Sequence, residues 1–123
     1  MDTWILVIDD DLGTREALTE ILTRAGYQVS AWADDALLRV ATLEHPYQVA
    51  VVDYHLPSGD GLEVAARLRS LQPDCRVILT SSEFPAIPEL SSPEGAVDRF
   101  LAKPFSKEVL LEVVAQLCHP ETH

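Results

Sequence analysis

Three short runs of this chain are apolar from end to end: Trp4-Ile5-Leu6-Val7-Ile8, Val49-Ala50-Val51-Val52 and Phe100-Leu101-Ala102. A strand with no polar side has no face to give to water. Unbroken, β-branched runs of this length are strands covered on both faces, as in a parallel sheet sandwiched between helices. Each run also ends abruptly at charge: the first at Asp9-Asp10-Asp11, the second at Asp53, the third at Lys103-Pro104. On open parallel sheets, ligands sit outside the carboxyl ends of the strands. Neighbouring strands would therefore bring several acids and one lysine into a single crevice, which suits a cation beside a phosphate.

The segments between the runs carry the helical period. Ala17, Leu18, Ile21, Leu22 and Ala25 share one face of a helix expected over Thr14 to Ala25, and Gly26 follows in the position that favours a left-handed cap. Tyr27 to Trp32 reads as a second strand. Asp34 or Asp35 can cap a second helix running to about Glu44, closed by Pro46. Val49 to Asp53 is the third strand. A turn at Pro57-Ser58-Gly59 leads to a helix capped by Asp60 and running through Leu71, with Leu62, Ala65 and Leu68 inward. Arg76 to Thr80 and about Val97 to Ala102 complete five strands. The last helix places Val109, Leu110, Val113, Val114 and Leu117 on one face. Alternating strands and helices specify right-handed βαβ units and a doubly wound parallel α/β sheet. Strand order is not legible from periodicity.

One stretch breaks this rhythm. Pro85, Pro88 and Pro93 fall between Glu83 and Gly95, and a proline inside a helix costs about 3 kcal/mol. The fourth helix is therefore expected to be short, irregular or displaced. The stretch reads either as a tolerant surface loop or as a remodelled partner surface.

Composition bounds the function. A length of 123 residues is one domain, and 47% hydrophobic with 24% charged residues is ordinary for a soluble globular protein. The net charge of −11 argues against direct nucleic-acid binding, which needs a basic face. Asp2 stands where a signal peptide would be basic, and no run approaches a membrane span. Cys75 and Cys118 have neither metal-ligand nor redox spacing and read as reduced thiols, so a cytoplasmic setting is expected. Trp4 and Trp32 read as packing, and His45, His119 and His123 as surface or tail residues.

Asp9, Asp10 and Asp53 at adjacent strand ends would repel one another, and each would resist ionising without a cation. Magnesium resolves this, being a hard octahedral ion held by one or two carboxylates with water and phosphate oxygens in its other positions. Helix capping alone could explain an acid cluster after the first strand, and an Asx turn could explain Asp53. Capping gives no reason for an acid at the end of a second buried strand.

These residues carry a resemblance. VIDDD at 7–11, VVDYHLPSGDGLEV at 51–64 and GAVDRFLAKPF at 95–105 occur in the order and at the separations of the receiver domain of the two-component response-regulator family. The chain resembles that family from about Thr3 to Leu117, which implies a receiver domain over residues 1–119 with a tail at 120–123. The resemblance implies a flavodoxin-like sheet of order 2-1-3-4-5. It implies that Asp53 accepts a phosphoryl group from the phosphohistidine of a sensor histidine kinase or phosphotransfer protein. Asp10 would ligate Mg²⁺ (or Mn²⁺) directly, Asp9 would hold it through water, and Asp53 and the backbone carbonyl of His55 would complete the protein ligands. The His55 imidazole would face the entrance and influence how fast water removes the phosphate. Lys103, one of two lysines with Lys107, would pair with a phosphoryl oxygen, and Lys103-Pro104 would be the family's cis peptide.

Thr80, Ser81 and Ser82 are all candidate hydroxyls for sensing the phosphate. Strand alternation puts Thr80 and Ser81 on opposite faces, so only one can reach the phosphate, and the family's spacing selects Ser81. Phe100 matches the family's switch aromatic, with plain core packing as its other reading. The resemblance implies a phosphorylation switch, not an enzyme with turnover beyond its own phosphorylation and slow dephosphorylation. Its output would be a protein partner or an output domain of its own, with a homodimer through the face from the fourth to the fifth helix as a further form. Two rival readings remain: a receiver-like module that binds partners without phosphorylation, and a small haloacid-dehalogenase-type phosphatase with Asp9 as nucleophile and Asp11 as general acid.

Overall fold

The computed structural model describes residues 3–34, 36, 46–57, 59–82 and 96–118. In chain order the described elements are β1 (Trp4–Ile8), α1 (Leu12–Arg24), β2 (Gln28–Trp32), β3 (Val49–Asp53), β4 (His55–Leu56), β5 (Gly59–Asp60), α2 (Gly61–Leu71), β6 (Arg76–Ser81), β7 (Arg99–Ala102) and α3 (Lys107–Cys118). Five strands form one parallel sheet in the order β2-β1-β3-β6-β7. Counting only these five, the order is the 2-1-3-4-5 that the resemblance implied. The expected second helix and the proline-interrupted stretch at 83–95 lie outside the described residues, as does the tail from 119.

Strand alternation divides the core into two layers. Leu6, Ile8, Ala50, Val52, Val77 and Leu79 point to one side, where they pack with Val64, Ala65 and Leu68 of α2. Ile5, Val7, Val49, Val51 and Ile78 point to the other, against Leu18 and Leu22 of α1 and Leu110 and Val114 of α3. All of β3 is buried, as its unbroken apolar sequence requires. Periodicity misplaces three of the expected face residues: Ala17 and Ala25 are exposed, and Val109 is 45% exposed, because the buried stripe of α3 is carried by Leu110 and Val114 one position on.

The helix ends follow the sequence closely. The Asp11 carboxylate caps α1 by accepting from the Thr14 amide at 2.8 Å, and Gly26 takes φ 101° after the helix. The Asp60 carboxylate accepts from the Glu63 amide at 3.0 Å and opens α2. Between β3 and α2 the chain makes a feature that the sequence reading gave only as a turn: β4 and β5 pair antiparallel, His55 with Asp60 and Leu56 with Gly59. At the opposite end of the sheet, Asp98 ties three elements together. Its carboxylate accepts from Arg69 of α2 at 2.9 Å, from the Val77 amide at 2.8 Å and from Arg76 at 3.4 Å. Trp4 and Trp32 each meet the Tyr47 ring edge-on at 6.4 Å, so both tryptophans are packing residues, as expected.

Candidate functional site

Parallel register places the charged strand ends side by side. Ile8 is level with Val52, and the Asp9 amide continues the ladder by donating to the Trp32 carbonyl at 3.0 Å, so Asp9 stands level with Asp53. Asp53 is in turn level with Thr80, and Thr80 with Leu101. Lys103 follows two residues later, across a cis peptide to Pro104. Its ammonium donates to Asp9 Oδ2 at 3.0 Å and stands 3.6 Å from Asp53 Oδ2.

Asp9 and Asp53 are buried and Asp10 is exposed, and one carboxylate oxygen from each lies within 4.8 Å of the others. Burial pushes the Asp53 carboxyl above its ordinary range; the Lys103 charge pulls it back in part, and Asp9 pushes it further up. Asp53 Oδ1 also accepts from the His55 amide at 3.2 Å. Two buried carboxylates served by one ammonium are short of positive charge. Three hard oxygen donors with an open side fit a divalent cation such as Mg²⁺ or Ca²⁺, which would supply the missing charge.

Two residues that position this site were not singled out in the sequence. Arg15, on the first turns of α1, donates from Nη1 to the Asp9 carbonyl at 2.8 Å and fixes the chain where β1 ends. Gly61 lies so close under the Asp53 backbone that a Cβ there would meet the Asp53 carbonyl oxygen and Leu79 Cδ1 at 2.6 Å. The Gly61 amide donates to the Tyr54 carbonyl at 2.7 Å. A glycine directly after the capping Asp60 was the available signal, but only tertiary packing shows what it is for.

The other candidates are found as follows. His55 is exposed, its ring edge-on to Tyr54 at 4.8 Å. Ser81 is buried, and its carbonyl accepts from the Lys103 amide at 2.8 Å, so β6 and the lysine's strand are locked together at the site. Alternation sets Ser81 and Phe100 on the α2 side of the sheet and Thr80, Asp53 and Lys103 on the α1 and α3 side. Phe100 is 43% exposed. Asp11 serves α1: its carboxylate accepts from both the amide and the hydroxyl of Thr14, which hold its pKa down. The cap accounts for Asp11 without a catalytic role.

The sequence model of the response regulator receiver domain matches residues 5–115. The chain belongs to the response-regulator receiver family. It is similar to the transcriptional regulatory protein GltR of Pseudomonas aeruginosa, 37% identical over 116 residues, covering 92% of this chain and 48% of that protein. It is also similar to the peroxide stress-activated histidine kinase mak3 of Schizosaccharomyces pombe, 35% identical over 122 residues, covering 91% of this chain and 5% of that one. The receiver thus spans less than half the length of either curated relative. Among solved structures it resembles a response regulator protein from Burkholderia pseudomallei with a phosphorylated aspartic acid, calcium ion and citrate. That match has a TM-score of 0.78 at 29% identity and covers 98% of this chain and 75% of the other. Among the described residues no helix is long and apolar enough to cross a membrane.

Proposed function

We propose that this receiver is a phosphorylation switch in which Asp53 takes a phosphoryl group from a phosphohistidine on a sensor kinase or phosphotransfer protein. The observation that carries this reading is the Asp53 carboxylate itself, buried at the end of the central strand with Lys103 at 3.6 Å and two further acids beside it. In the transfer, an Asp53 oxygen bonds to phosphorus and the phosphorus–nitrogen bond breaks. The imidazole leaves with the electron pair and takes its proton from water. Mg²⁺ held by Asp10, Asp53 and the His55 carbonyl, with Asp9 acting through water, would neutralise charge on the phosphoryl oxygens.

Lys103 can turn from Asp9 to a phosphoryl oxygen, since its present 3.0 Å bond to Asp9 is made by a flexible four-carbon stem. Ser81, one residue beyond the Asp53 row, would donate to a second oxygen. Because the Ser81 carbonyl is bonded to the Lys103 amide, both responses act on the same pair of strands. Phe100, on Ser81's side of the sheet, would carry the change to the surface between β7 and α3, where a protein partner, an output domain or a second copy would read it. Slow attack of water on phosphorus returns the carboxylate. The domain thus acts on itself, in the cytoplasm, without turnover of a separate substrate.

Incubation with acetyl phosphate and Mg²⁺ should add one phosphoryl group by intact mass, and Asp53→Asn should abolish it. Label mapped to Asp9, or undiminished labelling of Asp53→Asn, would overturn the assignment.

A further inference from the structure

The hydroxyl of Thr80 is unaccounted for by the switch described so far. Thr80 is fully buried, and its Oγ1 has no hydrogen-bond partner among the described residues. A buried hydroxyl without a partner gives up its bonds to water for nothing, and valine would fill the same space without that loss. The orphan sits at a telling place. Thr80 is the direct lateral neighbour of Asp53 in the parallel ladder, on the same side of the sheet, since Ile78 and Val51 two residues earlier pack in one layer. The Asp53 carboxylate is itself thinly served, with His55 N at 3.2 Å on one oxygen and Lys103 at 3.6 Å on the other.

We propose that Thr80 is a second hydroxyl of the phosphorylation site, donating to the Asp53 carboxyl group once that group carries the phosphoryl. The two neighbouring hydroxyls then divide the work by height. Thr80 is level with Asp53 and serves the carboxyl group. Ser81 stands one residue nearer the mouth, about 3.3 Å further along the strand, and serves the phosphoryl oxygens. Turning of Lys103 toward the phosphoryl group would leave the carboxyl group still less served and open it to the Thr80 donor. The inference rests on Asp53 being the phosphoacceptor.

The test compares wild type with Thr80→Val, which removes the hydroxyl and keeps the shape, and Thr80→Ser, which keeps the hydroxyl. The probe is beryllofluoride with Mg²⁺, its affinity read from thermal shifts, alongside the rate of labelling by acetyl phosphate. Thr80→Val should weaken beryllofluoride binding and slow labelling by about fivefold to tenfold, the size of one ordinary hydrogen bond. Without probe it should melt at the same temperature as wild type or higher, and Thr80→Ser should bind nearly as wild type. Thr80→Val binding within twofold of wild type would overturn the inference, leaving Thr80 as packing. Failure of wild type to bind or label would instead overturn the phosphoacceptor reading on which it rests.

Discussion

Asp53 carries a cost that its neighbours only partly offset. Burial raises its pKa above the ordinary 3.8 in the fold, against the pull of Lys103. The folded chain therefore holds this proton to higher pH than the unfolded chain does. Its contribution to stability is greatest below about 3.8 and is lost as pH rises through the raised folded value. Asp53→Asn, which never ionises, should melt a few degrees above wild type at pH 7 in metal-free buffer. The gap should close as pH falls below the unfolded value. Thermal melts at a series of pH values check this; an asparagine variant less stable at pH 7 would show that the Lys103 pairing outweighs desolvation. The acid pairs were legible as residues because they interrupt apolar runs. The position of Arg15 against the Asp9 carbonyl was not, since an arginine on a helix is ordinary in one dimension, and Thr80, though a candidate hydroxyl by sequence, was set aside there in favour of Ser81.

At the scale of elements, the site depends on how tightly the β3 end is wedged against α2. Gly61 opens that helix with a hydrogen atom facing the Asp53 carbonyl, and a methyl group there would meet backbone on two sides, the carbonyl oxygen at 2.6 Å and Tyr54 Cα at 2.9 Å. Backbone cannot yield as a flexible side chain can. Gly61→Ala should cost about 1–3 kcal/mol and also slow the proposed phosphorylation, because the displaced atoms belong to Asp53. Urea melts and acetyl phosphate labelling of the same variant check the two effects; full stability with full labelling would show that the turn relaxes freely. Helix α1 begins at Leu12, two residues before the expected Thr14, with Asp11 as its cap, whereas the strands of the sheet and the helix cap at Asp60 were readable from local chemistry. The β4–β5 pair was not, because its two-residue strands carry too little pattern to separate them from a turn. Val109 was misread because a helical face drawn from sequence spans several neighbouring positions, and the angle at which α3 meets the sheet selects among them.

For the whole molecule, the three carboxylates link metal binding to folding. An ion that binds the folded site and not the unfolded chain stabilises in proportion to its occupancy, by about 2.7 kcal/mol at one hundred times its dissociation constant. Mg²⁺ should therefore raise the melting temperature in a concentration-dependent way. The rise should be largely lost in Asp10→Asn, whose exposed side chain contributes little to the core. Calorimetry across a Mg²⁺ series checks this, and an equal rise in both proteins would place the ion elsewhere on a surface of net charge −11.

The fold class, the five-stranded parallel sheet and the acid and lysine candidates were determined by sequence alone. The unbroken apolar runs of β1 and β3 are buried strands at the centre of the sheet, whereas the third run, in the end strand β7, leaves Phe100 and Ala102 exposed, contrary to the expectation that all three are covered on both faces. Tertiary structure decided what linear spacing does not contain. Register between strands made Thr80, not Ser81, the lateral neighbour of Asp53, and the close approach of α2 gave Gly61 its purpose. Burial made Asp53 hard to ionise and set Lys103 between two acids. Each of these depends on which atoms from distant parts of the chain come within a few ångströms, and periodicity along one strand or helix is silent on that.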